Sequence, residues 1–293
     1  MDKEFLTRDE YQKFLLELLE ARDFVRLRRE LSDDNAADLA DFIEELPEDE
    51  SAVVFRLLPK ELGAEVFAHL EFDAQQNLAA AFSDREVAEV LEKLFVDDAV
   101  DFLEEMPASV VKRVLALTDS EKRSTLNHFL QYPEDSAGSI MTSEFTNLKK
   151  TMTVREAIDY LRRRGEDRET IYTCYVIDAE RILEGVISVK TLLLASDEEI
   201  VGDLMETDVI KVHTLDDQED VAAAIHMYNF LALPVVDNEN RLVGIVTVDD
   251  AVDVLQEETT EDFEKMAAMV PSERPYLRTS VFQHAKSRIP WLL

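Results

Sequence analysis

The 293-residue chain sets 31 Lys and Arg residues against 64 Asp and Glu, a formal charge of -33. Such a surface excludes nucleic acid and anionic lipid as partners and favours cations. A single cysteine, Cys174, excludes an internal disulfide and a cysteine-based zinc site, and the five histidines show no close ligand spacing such as H-E-x-x-H. With no run of about eighteen apolar residues, nothing in the chain is expected to span a membrane, and its length suits two domains.

At the N-terminus, Thr7-Arg-Asp-Glu10 has capping-box spacing, which predicts one amphipathic helix to about Arg29. From about Ala37 the chain repeats every twelve residues. One apolar register runs Phe42, Val54, Val66, Leu78, Val90, Phe102, Val114, Leu126. A second, four residues on, runs Leu46, Leu58, Leu70, Phe82, Leu94, Met106, with a polar break at Thr118, then Leu130. Leu39, Phe42, Ile43 and Leu46 share one helical face, and Pro47, Pro59 and Pro107 are expected to stop short helices. Helices of two turns survive only when neighbours bury their apolar stripe, so residues 1–132 are expected to form an α-solenoid. Asp97, Asp98 and Asp101 crowd one helix start. Favourable charge at an N-terminus accounts for the first two, whereas Asp101 adds a like-charge i,i+4 pair that a cation would relieve.

After Pro133 the pattern changes to strands alternating with helices. Strand 144–148, helix Val154–Arg164 and strands Thr173–Ile177 and Leu183–Val189 make a first unit. Strand Val209–Val212, helix Gln218–Tyr228 and strands Leu233–Val236 and Leu242–Val248 make a second. The units open on Gly138-Ser-Ile-Met141 and Val201-Gly-Asp-Leu-Met205. The Leu-Pro-Val-Val-Asp and Gly-Ile-Val-Thr-Val-Asp-Asp strings and this layout resemble a tandem pair of CBS domains, over residues 133–199 and 200–258. Such pairs often dimerise, and many bind adenine nucleotides through G-x-x-T/S-x-x-D. Gly244, Thr247 and Asp250 fit that spacing; Gly185 and Ser188 fit it too, but Thr191 stands at the acceptor position, which disfavours tight nucleotide binding.

The last helix is expected to run from Asp249 to about Met269, as a connecting helix over residues 249–270. Asp250, Asp253, Glu257, Glu261 and Glu264 form an acid stripe flanked by Glu258 and Asp262, with Lys265 as its basic residue. Val252, Leu255, Phe263 and Met266 are expected to supply its apolar side. A second acid group lies at Asp216, Asp217, Glu219 and Asp220. Oxygen-only donors without clustered cysteine or histidine point to a hard ion, magnesium or calcium, and no D-x-D-x-D-G loop suggests an EF-hand. No nucleophile–base pair, P-loop or glycine-rich phosphate loop is present, so an enzyme is not expected. Within residues 271–293, Arg288-Ile-Pro-Trp-Leu-Leu293 reads as a cationic flank, a proline suited to a first helical turn and an interfacial tryptophan, as at the start of a membrane helix.

An acidic solenoid, a CBS pair, an acidic connecting helix and this apolar end together resemble the MgtE magnesium transporters. The junction Pro133-Glu-Asp-Ser-Ala-Gly-Ser-Ile-Met-Thr142 and Gly244-Ile-Val-Thr-Val-Asp-Asp250 carry the resemblance most distinctively. It implies the cytoplasmic region of a membrane protein, a homodimer through its CBS domains. Magnesium ions there bridge solenoid, CBS pair and connecting "plug" helix to close a pore in a separate transmembrane domain. The ligands it implies are Asp97 and Asp101, with Glu65, in the solenoid, and Asp217, Glu219 and Asn229, with the backbone near His226, in the CBS pair. On the plug helix they are Asp250, Asp253, Glu258, Glu261 and Asp262. Asn229 replaces a carboxylate of the family pattern, keeping an oxygen ligand but losing a charge. The alternative reading is a nucleotide-sensing CBS module without specific magnesium sites.

Overall fold

The computed structural model describes residues 7–267. Residues 268–293, with the end of the expected connecting helix and the apolar Arg288–Leu293 end, lie outside the described residues. The chain divides into two compact units, Met1–Gln131 and Tyr132–Leu293.

The first unit is helical. The expected single N-terminal helix is two, α1 (Arg8–Glu20) and α2 (Phe24–Leu31). Arg22 adopts a left-handed φ of 55°, and Asp23 then caps α2 by accepting from the Arg26 N–H at 3.2 Å. The capping box at Thr7 and Glu10 is present. Eight helices follow: α3 (Ala36–Glu44), α4 (Glu48–Phe55), α5 (Lys60–Ala68), α6 (Phe72–Ala81), α7 (Asp84–Leu91), α8 (Val96–Glu104), α9 (Ala108–Leu115) and α10 (Ser120–Phe129). Their first residues are spaced by twelve without exception. The prolines stand one step later than expected. Pro47, Pro59 and Pro107 are the N-cap residues of α4, α5 and α9, where fixed φ costs nothing and no N–H is needed.

In the first apolar register Phe42, Val54, Val66, Leu78, Phe102, Val114 and Leu126 are buried. In α7 the stripe shifts to Val87, Ala88 and Leu91, leaving Val90 half-buried. Thr118 is buried without penalty, since its hydroxyl donates to the Leu115 carbonyl at 2.9 Å. α3, α5, α7 and α9 stack in one layer, while α4 packs on α6 and α8 on α10 in the other. Burial of the stripe therefore comes from helices two units apart. Exposed ion pairs repeat that pattern between Lys60 and Glu89, Lys93 and Glu61, and Arg113 and Asp84.

The second unit holds two like modules. In the first, β1 (Asn147–Leu148) pairs parallel with β2 (Thr173–Ile177), which pairs antiparallel with β3 (Leu183–Ser188), beside α11 (Val154–Arg164). In the second, β4 (Val212–His213), β5 (Ala232–Val236) and β6 (Leu242–Thr247) repeat this order, beside α14 (Gln218–Tyr228). Both leading strands are shorter than expected, because only two residues of each reach register with their single neighbour. Two short helices, α12 (Val189–Leu194) and α13 (Val201–Leu204), escape the sequence pattern; neither is long enough to show a periodicity.

The modules exchange arms. Thr142 and Ile245 swap backbone hydrogen bonds at 2.8 and 2.9 Å, so the segment opening the first module lies on the sheet of the second. Glu206 and Val186 do the reverse at 2.8 and 2.9 Å. Each arm crosses a glycine. A Cβ on Gly244 would meet the Met141 thioether at 2.6 Å and the Thr142 carbonyl at 2.9 Å. One on Gly185 would meet the Met205 thioether and the Glu206 carbonyl, both at 2.8 Å. The repeated Ile-Met and Leu-Met openings thus record one packing device used twice. Behind the sheets, Phe145, Tyr175, Ile177 and Leu183 join Val236, Leu242 and Ile245 in one apolar cluster.

The last helix, α15, spans Val248–Met266. Its docked face is not the expected one. Ala251, Val254 and Glu264 are buried, whereas Val252, Phe263 and Met266 are 54, 64 and 82% exposed.

Candidate metal centre

α14 opens on Asp217, whose Oδ1 accepts from the Glu219 N–H at 2.9 Å. It closes on Asn229, which is left-handed (φ 54°) and sends its N–H to the Ile225 carbonyl. Eleven helical residues, about 16 Å of axis, separate these ends. Asp217 and Glu219 therefore cannot share an ion with Asn229 of the same chain.

α15 runs back along α14. Its first residue, Val248, donates to the Leu231 carbonyl at 3.0 Å, and forty residues apart the Gln218 Nε2 donates to Glu258 Oε1 at 3.4 Å. The antiparallel pair thus has two acidic ends. At one, Asn229 closes α14 and Asp250 stands in the first turn of α15. There Asp250 closes a capping box, accepting from the Thr247 N–H at 3.3 Å and from the Thr247 hydroxyl. In the other module the matching Thr191 pairs its hydroxyl with that of Ser188 at 2.8 Å.

At the other end, Gln218, flanked by Asp217 and Glu219, meets Glu258, which Glu257 precedes and Glu261 and Asp262 follow one turn on. Glu261 takes the Lys265 ammonium at 2.6 Å. Gln218, only 8% exposed, also donates to Asp135 Oδ1 at 3.3 Å. The Glu257 side chain is largely exposed, yet its carboxyl is held above the ordinary carboxylate range. Desolvation is the first cause, followed by repulsion from Asp253, Glu258 and Asp135. Asp135 and Glu257 are members of this group that the ligand assignment by resemblance omits. Glu257 stands in the acid stripe and Asp135 inside the Pro133–Thr142 string, but nothing in the linear sequence ties one to the other.

In the helical unit Asp97 is 6% exposed in the first turn of α8, where its Oδ1 accepts from the Asp98 N–H at 3.0 Å. Asp101 is exposed one turn on, and Glu65 is exposed on α5, in the other layer. Among the described residues, no three His, Cys, Asp or Glu side chains form a ready cage for a metal ion. The donors at both ends of the α14–α15 pair are oxygens of Asp, Glu, Asn and Gln. That chemistry fits a hard cation which keeps most of its water and bridges pairs of carboxylates. No described helix is long and apolar enough to cross a membrane.

Comparison with known proteins matches this architecture throughout. Residues 34–135 match the MgtE intracellular N domain, and residues 137–198 and 201–257 match the CBS domain. The magnesium transporter MgtE of Thermus thermophilus is 38% identical over 283 residues, 95% of this chain and 63% of its own. The crystal structure of the soluble part of a magnesium transporter superposes with a TM-score of 0.82 at 34% identity, covering 86% of this chain and 99% of that one. The cytosolic domain of the Mg2+ channel MgtE in complex with ATP gives a TM-score of 0.77 at 40% identity, covering 82 and 98%. The chain spans less than two thirds of the length of the curated transporters it matches. Helical N domain and CBS pair thus occur in the same order as in these relatives, and the chain belongs to the MgtE family of magnesium transporters.

Proposed function

We propose that this chain is the magnesium-sensing region of a transporter or channel. It would face the cytoplasm, act as a homodimer through its CBS modules, and control a membrane domain outside these 293 residues. One observation carries the reading: a single neutral amide at the start of α14, Gln218, bridges Asp135 of the junction segment and Glu258 of α15, beside a Glu257 carboxyl whose pKa is raised first by desolvation and then by repulsion from Asp253, Glu258 and Asp135. The other proposed ligands are Asp97 and Asp101 on α8, Asp217, Glu219 and Asn229 on α14, and Asp250, Glu261 and Asp262 on α15.

At low divalent concentration, repulsion among these carboxylates opposes close packing of acidic elements. A bound divalent ion supplies the positive charge and inner-shell oxygen ligation that allow carboxylates of different elements to approach. Only a difference in affinity between the loose and the packed arrangement shifts their balance. Sites with few direct ligands are individually weak, so several act together, which suits feedback from an abundant ion.

The test is limited proteolysis across a magnesium titration at constant ionic strength, held with potassium. Magnesium-specific protection is expected, diminished in the Asp250→Ala, Asp253→Ala double variant. Equal protection by potassium alone reduces the effect to screening and defeats the reading.

A second reading, adenine-nucleotide sensing, is supported by the relative in complex with ATP. Against it, Asp250 Oδ2 is engaged by Thr247, and the matching position of the first module is Thr191, paired with Ser188. Calorimetry separates the two readings: ATP or AMP binding with no response to magnesium favours the second.

A further inference from the structure

We infer that Gln218 is a positioning residue, a neutral cross-link that holds α15 against the junction segment at Asp135 when no divalent ion is bound. This rests on the magnesium-sensing reading for its purpose but not for its geometry. The Nε2 of Gln218 carries two hydrogens, and both are used: one reaches Asp135 Oδ1 at 3.3 Å, the other Glu258 Oε1 at 3.4 Å. The backbone N–H of the same residue donates to the Asp135 carbonyl at 2.9 Å. Asp135 in turn sits at a left-handed φ of 58° and begins a run laced to the start of α14. Ala137 donates to the Asp216 carbonyl at 2.8 Å and Gly138 to the Thr214 carbonyl at 2.9 Å. Gln218 thus joins three segments that the sequence holds far apart.

The amide suits the position because of its charge. A lysine would neutralise the acids permanently, and a glutamate would add another to them. A neutral donor satisfies one oxygen on each carboxylate while leaving the net charge of the group unchanged. The acids then stay close, and their need for a cation persists.

Hydrogen exchange read by mass spectrometry on the 293-residue chain tests this, in chelator and across a magnesium series at constant ionic strength. Gln218→Met keeps length and packing but has no donor. In chelator it should speed exchange over residues 256–262 by about tenfold, the loss of two hydrogen bonds, and saturating magnesium should restore the wild-type rate. Gln218→Glu should show the same loss, more strongly. Gln218→Lys should exchange in chelator as slowly as the wild type does in magnesium and respond little to further magnesium. Wild-type exchange in Gln218→Met, or a full magnesium response in Gln218→Lys, overturns the inference. A wild type indifferent to magnesium sinks the sensing reading instead, while the chelator comparison still decides the cross-link.

Discussion

Replacing Gly244 by alanine adds one methyl group where an arm of the other module crosses the sheet. Two obstacles meet it: the Met141 thioether at 2.6 Å and the Thr142 carbonyl at 2.9 Å. The thioether is the end of a flexible side chain and swings aside cheaply. The carbonyl is backbone, pinned by the paired bonds between Thr142 and Ile245, so the strand pairing itself must give. Overpacking of this kind costs about 1–3 kcal/mol. For a unit of this size that is about 2–12 °C in Tm, since each kcal/mol moves Tm by about 2–4 °C. Gly63→Ala is the control, because a Cβ there meets Phe55 and Leu58 side chains at 3.7–3.8 Å, an ordinary contact, within helix α5. It should raise stability by about 0.5–1 kcal/mol through helix propensity. Scanning calorimetry of both variants should therefore show the same chemical change with opposite signs in the two units. A Gly244→Ala protein melting with the wild type would refute the arm-crossing argument.

Glu86 is pulled down to about 2, first by the Arg56 guanidinium and then by the Ser83 N–H. Its folded pKa lies below its unfolded value near 4.5, so its contribution is complete above about 4.5 and fades as pH falls toward 2. Arg56→Ala should raise the Glu86 midpoint in a carboxyl NMR titration and, the pair being exposed, cost no more than about 1 kcal/mol. Tyr175 is fully buried and, among the described residues, its hydroxyl has no hydrogen-bond partner. Tyr175→Phe should therefore raise stability in urea unfolding by about 1 kcal/mol, and a loss of similar size would reveal a partner. Thr191→Asp places a carboxylate at the acceptor position of the first module and should strengthen ATP binding in calorimetry; an unchanged affinity counts against a nucleotide site there.

Much of the fold is written in local patterns. The twelve-residue spacing of apolar pairs places every helix from α3 to α10, because seven of the eight units bury their first-register residue and α7 buries its neighbours Val87, Ala88 and Leu91 instead. The ends of α11 and α14 follow from Thr153 and Asp217, whose side chains cap them. Arg22 is different: a left-handed arginine leaves no mark in the sequence, so α1 and α2 read as one helix. α15 misleads for another reason. An apolar stripe normally marks the docked face, but here Ala251 and Val254 dock while Val252, Phe263 and Met266 face outward. The acids are equally legible as acids. Which of them meet is set by the antiparallel return of α15, which brings residue 258 to residue 218 and both to Asp135. No periodicity encodes that encounter.

The exchange of arms also sets a clock for synthesis. Met141 and Thr142 emerge from the ribosome about a hundred residues ahead of Gly244 and Ile245, the partners that cover them. At about 5–20 residues per second, they wait on the order of 5–20 s. During that interval the helical unit ahead of them is already complete, whereas neither sheet has its full set of neighbours. The core of the first module, Leu148 to Val201, is synthesised well before then, so what waits is the crossing of the arms; a nascent chain halted before Ile245 should expose Met141 to any chaperone that reads apolar side chains.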